Sequence, residues 1–425
     1  MIKNHDELHE ECGVVAIWGD DNAAQLTYYG LHSLQHRGQE AAGIVVRNKS
    51  RKLNIHKGEG LVSEVFNKEK IEKLSGNAAI GHVRYSTAGG GGIMNVQPFL
   101  FRTLDGMMGI AHNGNIVNAN LLKKELEENG SIFNSTSDTE VLGHLIKRET
   151  GRFVDRICKS LEKIDGAFAF VILVEDALYV ARDRYGLRPL SMGRLPSGGY
   201  MFSSETCALD IAGAEYVRDV EPGEIIRVKD GIIKSKKYTE TLPICNKLCA
   251  MEYIYFSRPD SNLDGINVHT ARKTCGKTLF EEAPVEADLV IGVPDSSISA
   301  AIGYSEASGI PYEMGLIKNK YVGRTFIQPT QEMRERGVRM KLSAVSSIVK
   351  GKRVIMIDDS IVRGTTSKRI VKLLKEAGAT EVHVRIASPA IKFPCFYGVD
   401  ISTLEELISH RMNVEELCQF IEADS

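Results

Sequence analysis

The run VIMIDDSIVRGTTS, residues 354–367, restricts the fold of this chain more than any other stretch. Its first four residues carry no polar side chain, which is typical of a central strand that is buried on both faces of a sheet. Two acids, a turn and the start of a helical pattern follow at once. The run ADLVIGVPDSS, residues 287–297, has the same order and leads into a second helical pattern. This alternation predicts an α/β domain with a parallel sheet and helices on both faces.

The first half of the chain has a different pattern, with short strands, turns and a few helices. GEIIRVKDGIIKSKKY, residues 223–238, contains two alternating runs about the dipeptide DG, which is a β-hairpin signal. ANLLKKELEENG predicts a helix with Leu121, Leu122 and Leu126 on one face and a stop at Gly130. We therefore expect a mixed, strand-rich α+β domain in this half.

The two patterns predict two domains. We expect the strand-rich domain over residues 12–240 and the α/β domain over residues 241–425. The join falls within residues 238–265, where neither pattern is present. A chain of 425 residues is long enough for two or three domains of about 150 residues each.

Composition excludes several classes of protein. The net charge is −2, so there is no basic excess to hold a nucleic-acid backbone. No apolar stretch approaches the roughly 20 residues that cross a membrane, and the leader MIKNHDELHEE lacks the features of a secretory signal. We expect a cytoplasmic protein whose eight cysteines are thiols, metal ligands or nucleophiles rather than disulfides.

The loop after the predicted strand at 354–357 suits a phosphorylated sugar. Asp358 and Asp359 stand at the carboxyl end of that strand, where open α/β sheets bind ligands. Adjacent carboxylates suit sugar hydroxyls, or a hydrated Mg²⁺ that rides on a polyphosphate. The helix start at TTS offers N–H groups, hydroxyls and a positive dipole end to a phosphate. The alternative is a helix capped by Thr365, with both acids solvated.

The same loop resembles the phosphoribosyl pyrophosphate loop of the type I phosphoribosyltransferases. GVPDSS is similar to the pyrophosphate-binding loop of that family, and residues 318–341 are similar to a mobile loop that closes over substrate. Taken with the first half, the resemblance is to the glutamine phosphoribosylpyrophosphate amidotransferases of purine synthesis. It covers nearly the whole chain, from Cys12 to about residue 400.

The resemblance implies the fold of both halves. It implies an N-terminal-nucleophile glutaminase domain, with stacked antiparallel sheets and flanking helices. A type I phosphoribosyltransferase domain follows, with a partial helical segment at its C-terminal end. It also implies the reaction: glutamine is hydrolysed, and ammonia passes inside the protein to C1 of phosphoribosyl pyrophosphate. The products are 5-phosphoribosylamine, pyrophosphate and glutamate.

Cys12 has two interpretations. As a lone cysteine before the apolar run VVAI, it reads as a small buried strand residue, because free cysteine is usually buried and inert. The resemblance implies instead that residues 1–11 are a propeptide and that Cys12 becomes the first residue. Its α-amine, which titrates near about 7.7–8.0, would then act as general base for its own thiol. An amide nitrogen cannot do this.

The motif HNGN contains Asn113 and Gly114, which alone predict a type I′ hairpin turn. The resemblance adds an oxyanion hole, formed by the Asn113 amide and the Gly114 N–H. The run LHSLQHRGQEAAG also resembles the family, but no catalytic role follows from its residues.

Two further residues are implied to bind glutamine. Arg84 in GHVRYSTAG is implied to hold the carboxylate bidentately, and its alternative is a surface ion pair. Asp138 in SDTEVLGHL is implied to pair with the α-ammonium group. Read alone, Ser137 and Glu140 have the spacing of a helix capping box.

The resemblance also assigns the second site. Asp358 and Asp359 are implied to hold the ribose hydroxyls and Mg²⁺, and Ser296 to meet the metal–pyrophosphate end. The remaining residues implied to bind phosphoribosyl pyrophosphate are Asp295, Arg363, Gly364, Thr365, Thr366 and Ser367. Feedback inhibition by purine nucleotides and assembly as a homodimer or homotetramer are implied as well.

Some members of the family carry a [4Fe–4S] cluster. Cys249 and Cys395 match two of its four ligands, and the other two would come from a Cys-x-x-Cys pair further toward the C-terminus. That pair is absent from this chain, and Cys418 does not match it. We therefore expect a truncated sequence and no complete cluster.

Two rival functions remain from the residues. Another Cys-first amidotransferase, such as glucosamine-6-phosphate synthase, would need a sugar-isomerase half, which DDSIVRGTTS argues against. A non-enzymatic sensor of phosphoribosyl pyrophosphate would have no use for a Cys-first glutaminase. The mass of the purified chain separates these interpretations, because loss of residues 1–11 favours an active glutaminase.

Overall fold

The first half of the chain forms strands that are joined by turns and by helices. The computed structural model describes residues 12–85, 92–103, 105–319, 342–399, 401 and 403–425. The leader, 1–11, and all but the first two residues of the expected closing loop, 318–341, lie outside this range. The strands are β1 Gly13–Trp18, β2 Ala41–Arg47, β3 Leu53–Glu59, β4 Ala78–Arg84, β5 Phe99–Thr103, β6 Gly106–Ile116, β7 Gly166–Val174, β8 Leu178–Arg182, β9 Ser191–Arg194, β10 Tyr200–Ser203, β11 Glu215–Asp219, β12 Glu224–Lys229 and β13 Ile232–Lys237.

These strands form two antiparallel sheets in the described residues. One has seven strands in the order β11-β9-β10-β1-β4-β2-β3, and the other has six in the order β13-β12-β8-β7-β6-β5. The helices around them are α1 Ala23–Ser33, α2 Val62–Val65, α3 Lys68–Lys73, α4 Ala119–Glu128, α5 Thr139–Arg148, α6 Phe153–Glu162 and α7 Thr206–Ile211.

Alternation along β1 divides its side chains between two layers of the core. Val14 and Ala16 pack against the second sheet, where Val171 of β7 belongs to the same apolar cluster. Val15 faces the other way and packs with Leu31 of α1. The outer face of the second sheet packs against α4, α5 and α6. The result is a helix–sheet–sheet–helix arrangement, which confirms the stacked antiparallel sheets that were expected.

Local signals in this half are partly confirmed. The hairpin forms as expected, with Lys229 paired to Ile232 and with positive φ at Asp230 and Gly231, as a type I′ turn requires. Helix α4 also forms, but only two of its three leucines are buried. Leu121 is 60% exposed, so its placement on the apolar face was wrong. A helix advances about 100° per residue, which turns Leu121 away from the packed face.

The second half of the chain forms, in its described residues, a three-stranded parallel sheet and two antiparallel strand pairs. Its strands are β14 Asn262–Leu263, β15 Ile266–Asn267, β16 Leu289–Gly292, β17 Leu316–Lys318, β18 Leu342–Ala344, β19 Arg353–Asp358 and β20 Glu381–Ile386. Its helices are α8 Val268–Glu282, α9 Ile298–Ser308, α10 Ser346–Val349, α11 Thr365–Glu376, α12 Ile408–Arg411 and α13 Val414–Ile421, with a π-helix at Glu252–Phe256. Strands β16, β19 and β20 pair in parallel, with β19 in the centre.

Strand β19 is buried on both faces, as its sequence predicts. Ile355 and Ile357 pack toward α9, while Val354 and Met356 pack toward α11. All four have no exposed surface. Helices on both faces of a parallel sheet confirm the α/β fold expected for this half.

The segment between the halves runs along the first domain. Cys245, Lys247 and Cys249 donate backbone N–H groups to carbonyls within residues 184–187. No helix in the described part of the chain is long and apolar enough to cross a membrane.

Candidate functional site

Cys12 lies immediately before β1 and is only partly buried. Its Sγ lies 3.5 Å from the Tyr85 carbonyl oxygen, and its own carbonyl accepts a hydrogen bond from Arg37 Nε at 3.2 Å. Cys207 illustrates the inert kind of cysteine: it is 3% exposed, and burial raises the pKa of its thiol to about 12. Cys12 thus lies at the N-terminal end of β1 and not among the buried residues of the strand.

The expected hairpin turn at Asn113 and Gly114 is wrong. Both residues lie within β6, where they pair with Ala169 and Phe168 of β7. The long ladder between β6 and β7 outweighs the local preference of an Asn-Gly pair. The glycine is needed for a different reason: its φ is +142°, and a Cβ there would lie 2.0 Å from the Ala167 carbonyl oxygen.

Asn113 is linked through a shared serine to Val14, two residues after Cys12. Ser204 Oγ accepts the Val14 N–H at 3.0 Å and lies 3.4 Å from Asn113 Nδ2. Asn113 is fully buried, and its Oδ1 has no protein hydrogen-bond partner. If the amide is turned, its oxygen accepts the Ser204 O–H, and the NH₂ group becomes the unpaired part. In that orientation the buried amide, whose NH₂ group has no protein partner, is free to donate a hydrogen bond to a substrate.

Arg84 and Asp138 are positioned by the two sheets and by α5. Arg84 ends β4 and is 6% exposed, so a surface ion pair does not describe it. Asp138 directly precedes α5, and its Oδ2 accepts the Ile116 N–H at 2.8 Å at the end of β6. That bond fixes Asp138 to the strand that carries Asn113.

The expected capping box is also wrong. Asp138 occupies the N-cap position of α5. Glu140 reaches back to the preceding loop, where it accepts N–H bonds from Asn134 at 2.9 Å and Ser135 at 2.8 Å. Burial alone would raise the pKa of Glu140, but the neighbouring His144 ring, with Nε2 3.6 Å away, and hydrogen bonds from Ser135 and Asn134 lower it to about 2. Glu140 therefore holds the loop in front of Asp138.

A buried histidine that the sequence did not point to supports this region. His112 Nδ1 lies 3.1 Å from Thr139 Oγ1, and the ring stacks on Phe170 with centroids 4.4 Å apart. Burial lowers the pKa of His112. Its carbonyl lies 3.1 Å from His82 Nε2, and burial lowers the pKa of His82 to about 3. Neutral rings thus brace β6 against the start of α5.

The second candidate site lies at the carboxyl end of β19. Asp358 and Asp359 are 7% and 8% exposed. Ser297 Oγ donates to Asp358 Oδ1 at 3.2 Å, and Ser296 Oγ donates to Asp359 Oδ2. Burial raises the pKa of Asp359, and the hydroxyls of Ser296 and Ser360 only partly offset this. Two acids held in so little water are therefore not solvated, and a cation would relieve the cost of their charge.

The start of α11 forms a cradle. Gly364 is the N-cap residue with φ +75°, and Thr365 is already within the helix, so the alternative of a Thr365 cap is wrong. Thr365 Oγ1 is buried without a hydrogen-bond partner, and Ser367 is 3% exposed. An unsatisfied buried hydroxyl beside helix N–H groups fits an anion. Thr366 is the second residue of α11.

Two expected ligand residues have protein partners. Arg363 Nη2 is 2.8 Å from Glu406 Oε1, which draws its guanidinium toward the C-terminal segment. Asp295 is exposed and lies 3.1 Å from Lys318 Nζ, at the edge of the residues 318–341 that were expected to close.

Cys249 and Cys395 are the two residues that were expected to be cluster ligands. Both pack against the apolar cluster of Phe256, Val399, Ile401 and Leu407. Cys395 Sγ accepts the Tyr397 N–H at 3.3 Å, which is the kind of bond that supports a thiolate ligand. The described residues contain no group of three or more His, Cys, Asp or Glu side chains that could hold a metal ion.

The largest feature that the sequence did not predict is a buried charge network, which we call the Arg37 network. It comprises Arg37, Arg188, Glu205 and Glu252, none of which has measurable exposure. Arg37 lies in the run LHSLQHRGQEAAG, which matched the family without an assigned role. The signal available in the sequence was an arginine followed by a glycine, Gly38. In the structure a Cβ at Gly38 would lie 2.7 Å from the backbone nitrogen of Arg84, so the position requires glycine.

Comparisons with known proteins agree with these two sites. Residues 88–210 match the model of a glutamine amidotransferase domain, and residues 270–389 match that of a phosphoribosyl transferase domain. The chain is therefore a glutamine amidotransferase joined to a phosphoribosyltransferase.

The full-length relatives name the family. The chain is 62% identical to the amidophosphoribosyltransferase of Bacillus subtilis (strain 168), with 100% of this chain and 89% of that one covered. It is 56% identical to the enzyme of Staphylococcus aureus (strain Mu50), with 99% and 85% covered. A solved structure described as glutamine phosphoribosylpyrophosphate amidotransferase from B. subtilis complexed with ADP and GMP superposes with a TM-score of 0.92 at 60% identity, covering 97% of this chain and 90% of that one. The chain belongs to the amidophosphoribosyltransferases, which catalyse the first step of purine biosynthesis.

Proposed function

We propose that Cys12 releases ammonia from glutamine in the first domain and that the second domain adds it to C1 of phosphoribosyl pyrophosphate. The observation that carries the proposal is the pairing of two unlike sites: a partly buried cysteine beside a half-unused amide, and a buried acid pair beside an anion cradle. The proposed domains are residues 12–240 and 241–425, with 1–11 as a propeptide. The domain models that match the chain fall on either side of that boundary.

In the glutaminase site, the proposed roles follow from position. Cys12 Sγ attacks the glutamine amide carbon, and its α-amine, once exposed, takes the thiol proton. Asn113 and the Gly114 N–H stabilise the oxyanion, each contributing roughly 10²–10³ in rate. Arg84 holds the carboxylate of glutamine, and Asp138 holds its ammonium group.

In the transferase site, Asp358 and Asp359 hold the ribose hydroxyls. Residues 363–367 bind the 5-phosphate through the helix start and the Thr365 hydroxyl, while Asp295 and Ser296 meet the pyrophosphate. Ammonia attacks C1, and pyrophosphate leaves with the electron pair of the C–O bond. Phosphoribosyl transferases generally use Mg²⁺, and the oxygen donors of Ser296, Asp358 and Asp359 fit that ion. The ion would neutralise charge on the departing pyrophosphate.

The cysteine pair fits half of an iron–sulfur ligand set. Cys249 and Cys395 would supply two thiolates, and a [4Fe–4S] cluster requires about four. We therefore propose these two residues as cluster ligands in the family arrangement.

Purine nucleotides are the proposed feedback inhibitors, since a close solved relative is described as complexed with ADP and GMP. We also propose a cytoplasmic location and a homodimer or homotetramer. The two rival functions lose support, because the second domain matches a phosphoribosyl transferase and the first matches a glutamine amidotransferase.

The test separates the two sites. Cys12→Ala should abolish glutamine-dependent synthesis and leave ammonia-dependent synthesis largely intact, because alanine cannot form a thioester. A structural cysteine would behave differently, since its loss costs roughly 1–2 kcal/mol of stability and lowers both rates together. The measurement is the glutamine rate divided by the ammonia rate, with Cys158→Ala, which removes a buried cysteine of α6, as a matched control. An unchanged ratio in Cys12→Ala would refute the proposed role.

A further inference from the structure

The Arg37 network lies at the contact between the two domains. Arg37 and Glu205 belong to the first domain, and Glu252 begins the π-helix of the second. Arg37 meets Glu252 as a fork: Nη2 is 2.8 Å from Oε1, and Nη1 is 2.9 Å from Oε2. Arg37 Nη1 is also 2.8 Å from Glu205 Oε1. A bidentate, fully buried pair of this kind fixes the plane of the guanidinium.

The third nitrogen of the same guanidinium, Nε, binds the backbone of the proposed nucleophile. Arg37 Nε donates to the Cys12 carbonyl, which fixes the peptide group that follows the nucleophile. The plane set by Glu252 therefore sets the direction from which Nε reaches Cys12. Glu252 is thus linked to the backbone of Cys12 through a single shared partner, the Arg37 guanidinium.

Opposite charges offset the cost of burial in the Arg37 network, and His36 joins it with Nε2 2.7 Å from Glu205 Oε1. Burial alone would lower the pKa of Arg37, but Glu252 and Glu205 hold it well above its usual range. Burial alone would raise the pKa of Glu252, yet Arg37 and Arg188 hold it below its usual range. Ser257 Oγ supplies a further bond to Glu252 Oε2 at 2.8 Å.

The segment that carries Glu252 is itself tied to the transferase site. Arg272 donates to the carbonyls of Tyr253 at 2.6 Å, within the π-helix, and of Ser257 at 2.8 Å, directly after it. The same arginine lines a small cavity of about 20 Å³ with Ser296 and Asp359. Arg272 therefore connects the segment that carries Glu252 with the residues proposed to bind phosphoribosyl pyrophosphate.

We infer that Arg37 is a positioning residue for Cys12 and that Glu252 holds the Arg37 guanidinium in place. The glutaminase centre is therefore fully formed only when the second domain is docked in this arrangement. The inference rests on the proposed function of Cys12. It assigns a role in glutamine hydrolysis to a residue of the phosphoribosyltransferase half.

The test uses the full chain with Glu252→Gln. Glutamine keeps the size of the side chain but removes its charge and presents an NH₂ group to Arg37. A misplaced nucleophile slows the chemical step more than it weakens binding. We expect kcat for glutamine hydrolysis to fall by about tenfold to 100-fold, with KM for glutamine and the ammonia-dependent rate within about twofold of wild type.

Asp264→Asn is the matched control. Asp264 pairs with Arg182 of the first domain, with Nη1 and Oδ1 3.2 Å apart, and it makes no contact with Arg37 among the bonds described. We expect this variant to keep the wild-type ratio of glutamine rate to ammonia rate. An equal loss in both variants would overturn the inference, because any weakening of the domain contact would then suffice. An unchanged ratio in folded Glu252→Gln would overturn it as well.

A milder variant covers the case in which Glu252→Gln does not fold. Ser257→Ala removes one bond to Glu252 and leaves every charge in place, so the ratio should fall in the same direction by about twofold to fivefold. No change in the ratio of Ser257→Ala, with Glu252→Gln unfolded, would reject the inference. Failure of the proposed function would look different, since Cys12→Ala would then retain glutamine hydrolysis.

Discussion

At the scale of single residues, the acid pair makes the sharpest prediction. Asp358→Asn with Asp359→Asn should keep the fold and lose synthesis with either nitrogen donor, because the amides cannot hold Mg²⁺ or accept two ribose hydroxyls as carboxylates do. Pyrophosphate release with glutamine and with ammonia measures the effect. Asp288→Asn, at the opposite end of the sheet, should leave the rate nearly unchanged. Near-normal release by a folded double variant would contradict the assignment.

Glu140 gives a pH-dependent prediction at the same scale. Its folded pKa of about 2 lies below the ordinary value of 4.5, so its stabilisation is present above about pH 4.5 and is lost as the pH falls toward 2. The melting temperature of Glu140→Gln should therefore be lower than that of the wild type at pH 6. The difference between the two melting temperatures should vanish near pH 2. Thermal unfolding across that range tests this. Glu128→Gln, in an exposed pair with Lys124, should show no such pH dependence.

At the scale of secondary-structure elements, substitution of Gly114 tests the pairing of β6 with β7, where a turn had been expected. Gly114→Ala places a Cβ against the Ala167 carbonyl and should destabilise the β6–β7 pairing by about 3 kcal/mol. Gly130→Ala also replaces a glycine of positive φ, but nothing lies within 4 Å of the new Cβ, so it should cost only about 1 kcal/mol. Unfolding of both variants is the measurement. Equal effects would show that the contact with β7 does not matter.

At the scale of the whole molecule, the cysteines predict an incomplete metal centre. The purified chain should hold no complete [4Fe–4S] cluster, since only Cys249 and Cys395 match the family ligands and about four are required. Iron and sulfide analysis, with an absorption spectrum, tests this. A brown protein with close to four irons per chain would show that Cys245 or Cys418 completes the set, and Cys418→Ser would then lose the iron.

The sequence by itself determined what short-range periodicity can encode. The apolar run of β19, the acids at its end and the DG hairpin all follow from the residues within each element, because alternation and turn chemistry act over a few positions. The site residues in these elements could therefore be placed in advance. The resemblance to a family supplied the roles of Cys12 and Asp138, which spacing alone leaves open.

Only the tertiary structure decided which distant residues share a partner. Asn113 and Gly114 form a strand because pairing with β7 satisfies more backbone groups than an isolated turn does. Arg37 meets Glu205 and Glu252 across separations of 168 and 215 residues, and no local pattern records such a contact. Burying four charges is tolerable only when each finds its partner after folding. That requirement brings the Glu252 carboxylate to the same guanidinium that donates to the Cys12 carbonyl.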